Sequence, residues 1–132
     1  METKVGSLKG LLISTAFLEG ATGLALMATP SLVINLLLGS PLSDPISIII
    51  SRVAGVALVS LALACWFSRK SESQNGLGIA LLYYNLTSVA LLGYAGLHEN
   101  LLGMALWPAV AFHIIMAFWS AKCLVFSGNK NF

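Results

Sequence analysis

The feature that most constrains this chain is a series of four apolar stretches, about 8–28, 46–67, 77–97 and 101–125, joined by short connections. Each is about 20 residues long, the length a helix needs to cross a hydrocarbon core of about 30 Å. Lipid offers the backbone no hydrogen bonds, so stretches of this kind must satisfy their own N–H and C=O groups as helices. Composition agrees: 58% of the 132 residues are hydrophobic and 9% charged, where a soluble domain carries about 25% charged residues to wet its surface. The mean hydropathy of +0.89 has the same sense. The expected fold class is all-α, a four-helix transmembrane bundle in a single integral membrane domain, with membrane lipids as its first partners.

The connections add detail. Lys4 and Lys9 precede the first span as they would in a signal peptide, but that span is too long for a signal-peptide core and contains Glu19. After it, Thr29 suits an N-cap and Pro30 the first helical position, where a missing N–H costs nothing. Ser31 and Asn35 then share one face and Gly39 ends the run, predicting a short interfacial helix at about 30–38 with its polar stripe toward water. A second cap-plus-proline start, Asp44-Pro45, opens the second span. Asn100 is expected to cap the fourth, and Pro108, inside that span, to kink it and free the carbonyl near Met104.

Orientation follows from the cations. Lys4, Lys9, Arg69, Lys70, Lys122 and Lys130 all fall on one side of a four-span topology, and the opposite connections carry no Lys or Arg. The positive-inside rule then puts both termini in the cytoplasm of a multi-pass protein, with Trp66, Phe67 and Trp119 in the inner aromatic belt and Trp107 in the outer one. The net charge of +2 is scattered, which excludes a nucleic-acid footprint. Cys65 and Cys123 match no disulfide or metal spacing and read as small apolar residues.

The candidate functional residues are those that lipid should reject. Glu19, Arg52, Asn85 and His113 fall one to a span, and Tyr84 adjoins Asn85. Counted along the helices, these groups fall in one layer about 10 Å thick. An unpaired charge at this depth is expensive, so a Glu19–Arg52 pair is expected, completed by Asn85 and His113. Ala16, Gly20, Gly23 and Gly55 lie at helical spacing around that pair and would let the helices approach closely. Two meanings are open: a satisfied network that locks helix register, or the lining of a cavity that binds a ligand or moves a proton. No second ligand accompanies His113, so no metal site is expected, and no nucleophile sits beside a base. The sequence assigns no cofactor.

The pattern resembles the small bacterial four-helix membrane proteins called DoxX-like. The residues that carry the resemblance are Gly23 to Pro30, Arg52-Val-Ala-Gly55, Tyr84-Asn85, and Leu106-Trp107-Pro108-Ala109 with His113 behind them. It covers most of the chain and implies a bacterial inner-membrane protein, an accessory subunit or small-ligand binder. Beside that leading reading stands a proton-coupled carrier working as a homo-oligomer or within a larger membrane complex. A third reading is an oxidoreductase or isomerase acting on a quinone or lipid-like ligand, with Tyr84 and His113 as its acid and base.

Overall fold

The computed structural model describes residues 2–71 and 74–128, with side chains from residue 8 to 125. Five helices follow one another: α1 (Glu2–Ala28), α2 (Pro30–Leu38), α3 (Pro45–Ser68), α4 (Asn75–Leu97) and α5 (Leu106–Gly128). Four of them are long and apolar enough to cross a membrane. Only 17–33% of the most apolar window of each is buried. Phe17, Ile49, Val53, Leu91, Ile115 and Phe118 are among the large apolar side chains left facing outward. That is the surface of a protein whose solvent is lipid.

The bundle is built from two helix pairs. α1 runs along α3, α4 runs along α5, and the pairs meet mainly through α1 and α5. In the first pair, Gly23 and Gly55 face one another. A Cβ on Gly23 would lie 2.7 Å from the Gly55 carbonyl oxygen, and one on Gly55 would lie 2.6 Å from that of Gly23. Small residues here let the two backbones touch, which is how helices associate where lipid removes the hydrophobic drive. Leu11 and Leu12 of α1, Cys65 of α3, Leu81 of α4 and Met116 of α5 fill the half of the bundle nearer the α3–α4 loop as one buried cluster. Toward the end that carries Lys9, Arg69, Lys70 and Lys122, Trp119 covers Gly10 and Leu124 covers Gly78. Lys130 lies outside the described residues.

The ends of the helices follow local chemistry. Asp44 caps α3 by accepting the Ser47 N–H at 2.8 Å, with Pro45 in the first helical position, as the sequence predicts. The interfacial helix also forms where expected, and Gly39 ends it in the left-handed conformation at φ 76°. Thr29, however, is no side-chain cap: its hydroxyl turns back to the Ala25 carbonyl at 3.2 Å, one turn into α1. Asn35 is exposed, while Ser31 is half-buried and donates to the Leu42 carbonyl. The loop between α3 and α4 is closed by Gln74, which is buried and donates to the Ser68 carbonyl at 2.9 Å.

Two expectations for the fourth span are corrected. Asn100 does not cap it; it takes a positive φ of 53° in the turn that leaves α4, and Leu101 N–H bonds back to the Ala95 carbonyl. Residues 101–105 then form a turn, and α5 starts at Leu106. Pro108 therefore sits in the first turn of α5 and breaks no hydrogen bond inside it, so the expected interior kink has no basis. The 101–105 turn docks on α2 instead. Ala105 N–H donates to the Leu36 carbonyl at 2.8 Å. A side chain at Gly103 would collide with the backbone of Leu36 and Leu37.

Candidate functional site

Glu19 projects from α1 on the face shared with Thr15 and Gly23, one turn to either side, and is buried. The partner that meets it comes from α4. The Tyr84 hydroxyl donates to Glu19 Oε2 at 3.0 Å, across 65 positions of sequence. One residue along α4, the buried Asn85 reaches α5, where His113 Nδ1 lies 2.8 Å from Asn85 Oδ1. The rings of Tyr84 and His113 meet edge to face with centroids 5.6 Å apart. Phe112 closes a further side of the imidazole at 5.4 Å. Glu19, Tyr84, His113 and Asn85 thus form one contiguous polar chain linking α1, α4 and α5 in the middle of the bundle.

The second bond of Asn85 fixes the chemistry of His113. Asn85 Nδ2 donates to the Leu81 carbonyl at 2.8 Å. A carbonyl only accepts, so the amide can be oriented one way, with Oδ1 toward the imidazole. The proton in that bond therefore belongs to His113 Nδ1. In the neutral ring Nε2 is then the nitrogen with a free lone pair, the one able to accept a proton or a hydrogen bond.

Arg52 stands apart from this chain. It is exposed, and among the described residues it makes no ion pair with Glu19. The cause is the register of α1 against α3. Gly20 packs on Ala62 and Gly23 on Gly55 and Val59. Glu19 therefore lies near the level of Ala62, about 15 Å along the helix from Arg52. The fold brings Glu19, Tyr84, Asn85 and His113 into contact, and Glu19 meets Tyr84 where a pair with Arg52 was expected.

One member went unnoticed in the sequence. Thr15 is buried, and its Oγ1 has no hydrogen-bond partner among the described residues. The signal was its position four residues before Glu19, hence on the same helix face. Ser120, buried two turns beyond His113, is by contrast satisfied by the Met116 carbonyl at 2.8 Å. Among the described residues no three of His, Cys, Asp and Glu converge as metal ligands.

Compared with protein-family models, with curated proteins and with solved structures, the chain matches none. The chain is a small integral membrane protein of four apolar spanning helices, and its chemistry must be argued from the polar chain itself.

Proposed function

We propose that this protein binds a small hydrophobic ligand with a polar end in the middle of the bundle, and works as an accessory or carrier-type subunit rather than an enzyme. The observation that carries the reading is the Tyr84–Glu19 bond with the unpartnered Thr15 hydroxyl beside it. A network that served only to lock the helices gains nothing from an unpaired buried hydroxyl, which costs about 1–3 kcal/mol. A ligand oxygen or N–H at Thr15 would complete the set. The DoxX-like pattern described above supports the same class of role, and a quinone or lipid-like molecule has the required shape of an apolar body with one polar end.

Native mass spectrometry of protein purified in mild detergent tests this. Wild-type protein is expected to retain a co-purified small molecule that Glu19→Gln, Thr15→Val and His113→Ala each lose. Identical spectra for all four would sink the proposal.

A proton-linked carrier is the second reading, favoured by three groups with exchangeable protons, Glu19, Tyr84 and His113, in continuous contact. Its test is flux into proteoliposomes under a pH gradient, abolished by Glu19→Gln. We also propose that both termini face the cytoplasm of a bacterial-type inner membrane, since six of the seven cations share one side. A C-terminal green fluorescent protein fusion should fluoresce, and a C-terminal alkaline phosphatase fusion should be inactive.

A further inference from the structure

The seam between α1 and α3 carries a second feature, on a flank that faces lipid. Phe17, Gly20 and Leu24 of α1 and Val59, Leu63 and Trp66 of α3 line a groove of about 270 Å³. Its walls are mostly apolar, and its inner end is closed by Phe17 and Trp66, whose rings meet edge to face at 5.7 Å. Arg52 lies seven residues before Val59, two turns of helix, so it stands on the same face of α3 about 10 Å farther toward the outer end.

Among the described residues Arg52 is exposed and makes no ion pair with Glu19, Asp44 or Glu99. Glu19 is buried with Tyr84, and Asp44 accepts from Ser47. A guanidinium on the lipid-facing side of a span is costly unless an anion meets it. Arg52 enters only seven residues after Pro45, about 10 Å below the start of the span. Its long side chain can therefore rise to the level of the headgroups while its stem stays on the apolar surface. Guanidinium and phosphate match as a bidentate pair.

We propose that Arg52 and the α1–α3 groove form a specific phospholipid site. The guanidinium holds the headgroup phosphate in the leaflet at the Pro45 end, and one acyl chain lies in the groove down to Trp66. A lipid bound this way covers the exposed flank of the Gly20–Ala62 contact and neutralises the one cation of the outer half. The site is separate from the polar chain of Glu19 and His113, and stands or falls independently of it.

The test is native mass spectrometry of the full chain in mild detergent, titrated with dioleoylphosphatidylglycerol. Arg52→Gln should weaken the first binding event about tenfold, the loss typical of a charged hydrogen-bonded pair. Leu63→Trp, which fills the groove from an exposed position, should weaken it too. Lys122→Gln, at the opposite end, should leave it unchanged. Dioleoylglycerol, which has the chains but no phosphate, should bind wild type at least tenfold more weakly. Wild-type affinity in Arg52→Gln, or equal binding of dioleoylglycerol, would overturn the site and leave only ordinary annular lipid. Displacement of the lipid by millimolar inorganic phosphate would overturn the acyl-chain half, by showing a free-anion site.

Discussion

Tyr84 on α4 donates its phenolic hydrogen to Oε2 of Glu19 on α1, and this 3.0 Å bond ties together two helices that share few other contacts. α1 belongs to one helix pair and α4 to the other, so the bond joins the two halves of the bundle at mid-depth. Removing the donor leaves a buried carboxyl unpaired, which costs about 1–3 kcal/mol. Tyr84→Phe is therefore expected to lower the thermal midpoint in detergent clearly, and Glu19→Gln, which keeps an accepting oxygen, much less. Equal midpoints for Tyr84→Phe and wild type would contradict the bond.

The Asn85–His113 pair predicts a tautomer. ¹⁵N NMR of imidazole-labelled protein, with the ring neutral, should find the proton on His113 Nδ1 and a bare nitrogen at Nε2. Asn85→Leu removes the acceptor, so the tautomer preference should vanish. A ring protonated at Nε2 in wild type would refute the amide orientation that the Leu81 bond requires.

Where α1 crosses α3, the prediction concerns size alone. Gly23→Ala and Gly55→Ala each place a Cβ within 2.7 Å of the facing carbonyl, and overpacking of this kind costs about 1–3 kcal/mol. Gly93 of α4 is the control, since a Cβ there meets nothing within 4 Å. Gly93→Ala should be neutral or stabilising by up to about 1 kcal/mol, through helix propensity. Thermal unfolding of the three variants side by side separates the two effects.

A pH effect is expected at the start of α3. The Ser47 side chain, and then its N–H, hold the Asp44 carboxyl below its ordinary value. A lowered carboxyl contributes stability that is present above the unfolded value of about 4. That contribution is lost as pH falls through the folded value. Hydrogen exchange at the Ser47 amide should therefore accelerate as pH drops below about 4, beyond the intrinsic trend. Asp44→Ala should show fast exchange at every pH.

Spans, the interfacial helix and the Asp44-Pro45 start were all legible in the sequence, because length, hydropathy and capping chemistry are local properties. What the sequence could not supply was register between helices. Counting residues from each boundary put Arg52 near the depth of Glu19, yet the Gly20–Ala62 and Gly23–Gly55 contacts slide α3 so that the two are far apart. Pro108 misled for a related reason. Hydropathy extends smoothly from Leu101, and nothing local announces that 101–105 is needed as a turn to reach Leu36 of α2. Tyr84 and Asn85 were visible as polar intrusions, but adjacent residues on a helix point about 100° apart. Their division between Glu19 and His113 became clear only with the packing.

The bond from Ala105 N–H to the Leu36 carbonyl has a consequence for how the protein is made. α2 emerges from the ribosome with the first helix pair, while its partner strand of backbone arrives only after α4 has been inserted. Until then the Leu36 carbonyl and the space that Gly103 will occupy are open to the membrane surface. α1 and α3 can settle against each other through Gly23 and Gly55 early in synthesis, in the order in which chains generally fold. The clamp can engage only once the 101–105 turn has followed α4, so it reports that α4 has come up against the first pair. A chain truncated before Gly103 would still insert three spans, but would leave α2 unmoored, a form that membrane quality-control proteases could tell apart from the finished protein.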